Sequence, residues 1–452
     1  MSGDELRGGL GKEAWELAKL AAPVALGQLG FMFMGVTDTV VAGQVSHTVL
    51  AAVSLGHLFS FSMLTFAMGL LRGLDPFFSQ AHGAGDIEAG RRAFGRVLLI
   101  SAVMFIPVAL IHTIAGPILA GLGQPEDVVP LTATYCMVLI PGLLPTLFTA
   151  GISQFLQGLG KVNAPTIAVI VANVINVVLD IALVLGVDAI GLEGMGAFGA
   201  GLATTIVRFA MCGLLVVMTW RTLSEYMPSD WREVVRIKPM LDVLSHGLPV
   251  AVQACLEGWA FSALGLIMGA LGSVELAAHA ILINIVATTF MVPFGIGAAT
   301  SVRVGHLVGA RRSWSSAAWL GIGFAAGWMT LTSFLVYMFS EQVGDLYTND
   351  AAVIAVLVAM VPAAAGMQVF DGIQAAAFGA LRGAGDTRLP ALANVVGYWV
   401  IGLPLGWYLG VYRQGGPSHV WIGVVLALAI IAVLLLLRVS YIMRRGAARV
   451  AG

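Results

Sequence analysis

Charge is the scarcest feature of this 452-residue chain: Asp, Glu, Lys and Arg make up 10% of it, against a hydrophobic share of 59%. Soluble domains carry about 25% charged residues, so an ordinary water-soluble globule is excluded. Disorder is excluded too, because it needs low hydrophobicity and high charge. There is no basic excess: the formal net charge is −1, which leaves no electrostatic footprint for nucleic acid. Cysteine is also scarce. Cys136, Cys212 and Cys255 are odd in number and lie in apolar runs, so they read as small buried hydrophobes rather than a disulfide framework. No His–Cys cluster offers a transition-metal site, and no cofactor is expected.

What the chain does have is apolar length, with a mean hydropathy of +0.93. A spanning helix takes about 20 apolar residues, so this length supplies about a dozen spans. Twelve are predicted, centred near residues 30, 61, 106, 144, 176, 208, 259, 291, 328, 364, 400 and 430. Residues 1–16 are short, mixed in charge and lack a small-residue cleavage site, so they read as a cytoplasmic N-terminal segment and not a signal peptide. With twelve spans, the basic residues sort about 22 to 1 onto one side, counting Arg208 inside span 6 with them; Arg413 is the exception. The opposite loops are acidic, with Glu126, Asp127, Asp188, Glu193, Glu275, Glu341, Asp345 and Asp350. The positive-inside rule then places both termini in the cytoplasm of a multi-pass protein of the plasma membrane, here a bacterial inner membrane.

The sequence repeats itself. Ala22-Pro23-Val24-Ala25 recurs as Leu248-Pro249-Val250-Ala251, Leu50-Ala51-Ala52 as Leu276-Ala277-Ala278, and Gly83-Ala84 as Gly309-Ala310, each displaced by half the length of the chain. Leu156-Gln157-Gly158-Leu159-Gly160 recurs as Leu381-Arg382-Gly383-Ala384-Gly385, at a shift shorter by a single deletion. Six spans per half is an even number, so both halves enter the membrane in the same direction. The expected fold is therefore an all-α polytopic protein of two six-helix lobes related by a parallel pseudo-twofold repeat, the architecture of rocking transporters. The N-lobe is predicted over 17–220 and the C-lobe over 247–440. A cytoplasmic linker fills 221–246, where Trp231, Val234, Val235 and Leu241 suggest an amphipathic helix, and a cytoplasmic tail fills 441–452.

Of 24 acidic residues, four cannot be assigned to loops or span ends: Asp38 in span 1, Asp180 in span 5, Glu257 in span 7 and Asp371 in span 10. A carboxylate at membrane depth is costly, and its default reading is a functional site. No basic residue is expected at the same depth as any of them, which weighs against a structural ion pair. Asn173, Asn176 and Asp180 are spaced three and four apart and share one helix face. Asp38 belongs to the same half, and Thr204 and Thr205 in span 6 add hydroxyls. In the second half Gln253 and Glu257 are one turn apart, as are Gln368, Asp371 and Gln374. Oxygen-only donors suit a hard cation such as Na⁺, and desolvated carboxyls can instead carry H⁺; both stay open.

The histidines at or near the spans, His57, His112 and His279, are solitary and read as satisfied or interfacial groups. Gln28, Phe31 and Met34 on span 1, Gln253 and Phe261 on span 7, and Met291 on span 8 are candidates for the lining of a substrate cavity. Flexible methionine and aromatic surfaces adapt to varied ligands, although core packing is the commoner role for any single member.

These residues resemble the multidrug and toxic compound extrusion (MATE) transporters, in the NorM-like branch. The carrying segments are Val36-Thr37-Asp38-Thr39, Gln80 through Asp86, Leu156 through Gly160, and Asn176 with Asp180. In the second half they are Glu257, Leu276-Ala277-Ala278-His279, Arg303 through His306 with Gly309, and Asp371 with Leu381 through Asp386. The resemblance covers essentially the whole chain. It implies a monomeric, lipid-embedded antiporter, not an enzyme, that expels cationic amphiphilic drugs and dyes in exchange for Na⁺ or H⁺. It also implies a first-lobe cation site, with Na⁺ as a candidate occupant, at Asp38, Asn176 and Asp180, and a second-lobe site at Glu257 and Asp371. One position departs: some members carry an oxygen-bearing side chain one turn before the residue matching Asp371, where this chain has Met367. A thioether is a poor Na⁺ ligand, and Gln368 is the neighbouring oxygen source.

Two other functions compete. A flippase for lipid-linked sugars shares the lobed architecture, but pyrophosphate-linked cargo needs cavity cations, and the unassigned charges here are acidic. Gly83-Ala84-Gly85-Asp86 and Gly383-Ala384-Gly385-Asp386 match the Gly-x-Gly-Asp pattern of intramembrane aspartyl proteases. Both lie in basic loops at equivalent places in the repeat, so loop turns outweigh a buried proton-sharing dyad.

Overall fold

The computed structural model describes residues 3–187, 191–447 and 449–450, with side chains from Gly9 onward; Asp188 lies outside the described residues. Twelve helices among them are long and apolar enough to cross a membrane, and every predicted centre falls inside one. The first half contains α1 (Gly3–Gly43), α2 (His47–Arg72), α3 (Asp75–Ala84), α4 (Ile87–Thr113), α5 (Ala115–Gly121), α6 (Val129–Gly158), α7 (Asn163–Asp180) and α8 (Gly196–Glu225). Then come α9 (Trp231–Val234), α10 (Ile237–Leu271), α11 (Ser273–Gly309), α12 (Ser315–Met338), α13 (Ser340–Tyr347) and α14 (Ala351–Gly383). The eleventh span starts as α15 (Arg388–Val395) and continues through α16 (Leu403–Trp407), and α17 (Pro417–Arg445) is the twelfth. Gly186–Val187 and Leu192–Glu193 form a short antiparallel ladder.

Local chemistry sets the helix limits. Ser46 accepts the Val49 N–H at 3.1 Å and Asp86 the Ala89 N–H at 2.9 Å, each satisfying a leading donor of the helix it starts. The repeat is visible in the helix ends. Gly160 N–H donates to the Gln157 carbonyl and Lys161 N–H to that of Leu156; at the matching place in the second half, Gly385 and Asp386 donate to Arg382 and Leu381. Both glycines have positive φ (+75° and +86°), which only glycine adopts without strain. In the connector the amphipathic pattern gives a single turn, α9, that buries Val234 and exposes Trp231. Pro239 then falls in the first turn of α10, where a missing N–H costs nothing.

Two compact units result. One comprises Leu26–Leu74 and Asp86–Leu244; the other comprises the chain up to Ala25, Asp75–Gly85 and the chain from Ser245. The first has a core around Val53, Tyr135, Cys136 and Leu139, and a smaller one around Leu64, Leu143 and Leu147. The second is organised on α11 and α14. Gly297, Ser301, Gly305 and Gly309 recur every four residues along α11, and a Cβ at Gly379 or Gly383 of α14 would strike the backbone of Gly297 or Ser301. The same stripe receives α3, since a Cβ at Gly309 would meet the Gln80 carbonyl. With lipid as solvent, such close backbone approach is what holds helices together. The Arg382 guanidinium adds a buried pair with Asp75 of α3 at 3.0 Å.

Both Gly-x-Gly-Asp aspartates have structural work: Asp86 caps α4, and the Asp386 carboxylate accepts from Arg438 Nε at 2.6 Å.

Candidate functional site

The first unit buries two carboxyl groups against each other. Asp38, 1% exposed, sits near the end of α1, and Asp180, 0% exposed, closes α7. Asp38 Oδ1 accepts from Asn176 Nδ2 at 3.0 Å and its Oδ2 from Thr204 Oγ1 at 3.1 Å, so α7 and α8 each contribute one donor. The Asp180 carboxyl faces that of Asp38. Neither Asp180 oxygen has a hydrogen-bond donor among the described residues. Immediately after Asp180 the helix widens into a π-type turn over Ile181–Leu185, a distortion common at functional sites. Two buried carboxyls in contact stay ionised together only with a cation between them; without one they share a proton. The ligand atoms on offer are all oxygen, including the unpartnered Asn176 Oδ1, which suits a hard monovalent ion or a proton.

Other expected members of this cluster are placed elsewhere. Asn173 turns from Asp38 and donates to the carbonyls of Gly30 and Val169, both at 2.9 Å. It therefore clamps α7 to α1, two turns from the acids. Thr205 donates to the Val138 carbonyl of α6 at 2.8 Å. Gln28, Phe31 and Met34 lie on the same helix as Asp38; Met34 is buried and Phe31 is 40% exposed.

Arg208 requires a correction. The expectation that no base lies at the depth of the acids fails for Asp38. Arg208 is one turn from Thr204 on α8 and interacts electrostatically with Asp38, Tyr135, His57 and His112. Its aliphatic stem packs beside Gly142, where a Cβ would lie 3.0 Å from its Cδ, and its Nη1 has no hydrogen-bond partner among the described residues. The sequence places Arg208 mid-span, and only packing decides that it stays inside the unit instead of snorkelling outward. His112 is satisfied, through Ser60 Oγ at 2.9 Å and the Val108 carbonyl at 2.7 Å. If Arg208 partly neutralises the two acids, Arg208→Gln should tighten their hold on a cation. A nearby charge in protein surroundings is worth about one decade, so the half-saturating cation concentration in a binding titration of the purified protein should fall about tenfold, with Arg208→Lys close to wild type. An unchanged ion dependence would reduce Arg208 to a packing residue.

In the second unit, Glu257 of α10 accepts from Asn394 Nδ2 at 3.0 Å and from Gln253 Nε2 at 3.3 Å. Asp371 of α14 is buried within electrostatic range of Glu257, and its Oδ1 has no donor among the described residues. Tyr398 is buried beside the two acids and Gln374, and its ring meets Phe261 edge-on at 5.7 Å. Asn394 and Tyr398 are absent from the sequence-based set. Their signal was weak, an amide and a phenol in an apolar span, but span 11 also carries π-type turns over Val396–Gly402 and Tyr408–Tyr412. Gln368 turns toward α12, where its Oε1 accepts from Thr332 at 3.3 Å and Ser333 at 3.4 Å. Met367 is fully buried, and Met291 lies on α11 next to the Phe290–Phe294 pair.

A duplicated twelve-span membrane protein with a pair of acids in each unit, buried in the first and partly buried in the second, is thus defined. The MatE family model matches it twice, at residues 23–182 and 249–408, the second match displaced from the first by half the chain. The chain belongs to the MatE family. It is 32% identical to a probable multidrug resistance protein NorM of Bradyrhizobium diazoefficiens, over 96% of this chain and 95% of that one. It is 31% identical to the multidrug resistance protein PmpM of Pseudomonas aeruginosa, over 96% and 92%. Its fold is similar to that of the eukaryotic MATE transporter AtDTX14, with a TM-score of 0.87 at 22% identity over 98% of this chain and 100% of that one.

Proposed function

We propose that this protein is a secondary multidrug exporter that expels cationic amphiphilic compounds in exchange for Na⁺ or H⁺. The observation that carries this reading is the buried Asp38–Asp180 contact, whose unsatisfied oxygens call for one positive charge. The relatives' names, multidrug resistance protein, support drug export, and cationic cargo would be drawn to the same charge. Both termini are cytoplasmic, in a bacterial inner membrane, and the working unit is a monomer. The coupling ion arrives from outside, takes the Asp38–Asp180 site, and removes the negative charge that held the drug. The two units then exchange access, the ion leaves inward, and new cargo binds. Glu257 and Asp371, steadied by Asn394 and Gln253, form a second coupling site in the other unit.

A flippase for pyrophosphate-linked lipids is the second reading, and Arg208 is the observation in its favour, as a base at membrane depth. It is outnumbered by Asp38, Asp180, Glu257 and Asp371, and Asp38 and Asp180 share its unit. Purified protein in vesicles should export ethidium under an imposed Na⁺ or pH gradient, and the comparison of the two gradients identifies the ion. Absence of ethidium movement under either gradient, together with restored glycan export in a flippase-deficient cell, would overturn the exporter reading.

A further inference from the structure

We propose that the basic end of the second unit contains a binding site for a phosphate group, supplied by the headgroup of an anionic phospholipid. The site is a cavity of about 600 Å³ where α11 ends, α12 begins and α17 ends, and its lining includes Val308, Arg311, Arg312, Trp314, Met443 and Arg449. No acidic residue lines it. Of the other arginines at this end, Arg303 is paired with Glu13, Arg382 with Asp75 and Arg438 with Asp386, while Arg445 lies over the Tyr441 ring and, with Arg444, stays outside the lining. Arg311, Arg312 and Arg449 have no ion-pair partner among the described residues. Three guanidinium groups, each a planar fork matched to phosphate oxygens, therefore line a space with no counter-charge among the described residues.

The repeat supplies an internal control. Its half-chain shift pairs His82 with Val308, Gly85 with Arg311 and Asp86 with Arg312. The backbone turn is the same in both: Gly85 N–H donates to the His82 carbonyl at 3.0 Å, and Arg311 N–H to the Val308 carbonyl at 3.0 Å. Gly85 has φ +70°, and the other two repeated helix ends use Gly160 and Gly385; Arg311 adopts φ +55° with a full side chain. In the first half Asp86 caps α4, whereas Trp314 precedes α12 with no side-chain cap, so the leading N–H groups of a 24-residue helix stay available beside Ser313 and Ser315. A purely structural turn favours glycine at the left-handed position and an acid at the helix start. The second half departs from both, and each departure adds positive charge next to a free helix N-terminus. Backbone strain retained in this way marks a functional position.

The apolar lining favours a lipid over a free ion. Half-buried Met443 and Ala447 give a glycerol backbone and its first methylenes an apolar surface that inorganic phosphate does not need. The cavity also lies where two spanning helices end and a third begins, and basic pockets between the ends of spanning helices collect anionic lipids.

The test uses the full-length protein in detergent, with lipid retention counted by native mass spectrometry and unfolding temperature measured with phosphatidylglycerol, phosphatidylcholine or sodium phosphate added. Wild type should retain phosphatidylglycerol over phosphatidylcholine and be stabilised by it. Arg311→Gly and Arg312→Gln should each cut that retention roughly fivefold. Arg311→Gly should also melt higher than wild type without added lipid, because glycine relieves the turn, so lost binding cannot be mistaken for lost folding. Arg388→Gln, an exposed arginine outside the cavity, should behave as wild type. Stabilisation by sodium phosphate alone, abolished in Arg312→Gln, would keep the phosphate site but overturn its assignment to a lipid. Retention unchanged in Arg311→Gly and Arg312→Gln, or reduced equally in Arg388→Gln, overturns the proposal.

Discussion

Asp38→Ala is expected to abolish ion-driven efflux in proteoliposomes, and Asp38→Asn to fold like wild type yet fail in the same way. Asp38 is the residue of its cluster that faces all the others: it takes donors from α7 and α8 and stands against Asp180. Under the proposed exchange, removing its charge leaves one carboxyl where two would hold a cation, so an ion gained or lost would no longer change the affinity for cargo. Coupling between two ligands is commonly worth about 5–150-fold in affinity, and that whole factor should disappear. The cost to folding is smaller. Thr204 keeps its bond to the Ala200 carbonyl at 2.9 Å, so Asp38→Ala orphans the Asn176 amide, at about 1–3 kcal/mol, and takes one counter-charge from Arg208. Asp38→Asn retains an acceptor for Asn176 and separates the charge from the shape. The measurements are ethidium efflux under an imposed gradient and monodispersity in detergent. Asp371→Ala should give the same loss if the second unit also couples. Normal coupled transport by the Asp38 and Asp371 variants alike would sink the exchange scheme.

Arg382→Ala should produce the largest loss of stability. Arg382 and Asp75 pair at 3.0 Å with side chains only 9% and 4% exposed, and Arg382 Nε also lies 3.3 Å from Ser301 Oγ. Its guanidinium further stacks over Phe378 at 5.8 Å. Deleting one partner of a buried pair strands the other charge and typically costs about 3–5 kcal/mol. The pair joins α3 to α14 within one unit, and Gln80 reinforces it by donating to the Gly383 carbonyl at 3.0 Å. The prediction is checked by unfolding temperature and by the yield of monodisperse protein. The double variant Asp75→Leu/Arg382→Met should recover most of the loss, because a buried pair replaced by apolar groups of similar volume is often neutral. A double variant as unstable as Arg382→Ala would assign the loss to packing rather than to the stranded charge.

Much of the architecture was legible because it is written linearly. Every predicted span centre lies inside an observed spanning helix, and the half-chain repeat reappears in hydrogen bonds such as Gly85 to His82 and Arg311 to Val308. Hydrophobic length and turn chemistry need no knowledge of neighbours. The candidate sites were legible only as an inventory. Asn173, Asn176 and Asp180 share a face, yet Asn176 meets Asp38 while Asn173 clamps the Gly30 carbonyl one turn away. Gln368 is one turn from Asp371 but answers to α12. Asn394 and Tyr398 carry no charge to betray them. The acids also ignore the repeat: the position equivalent to Asp38 in the second half is the buried Leu264, and the one equivalent to Glu257 in the first half is Phe31. The duplicated scaffold therefore supports two chemically different sites.

Linear order is enough for the number of spans, the duplication and the presence of four costly acids, because each follows from composition along the chain and from the expense of charge in hydrocarbon. Packing alone settles which groups meet: Asp38 with Asp180, Asn176 and Thr204, Glu257 with Asn394, and Arg208 within the field of Asp38. The difference is geometric. Helical spacing fixes the face on which a side chain lies, but the rotation and crossing of packed helices set which neighbour that face meets, and those depend on contacts between residues far apart in the chain.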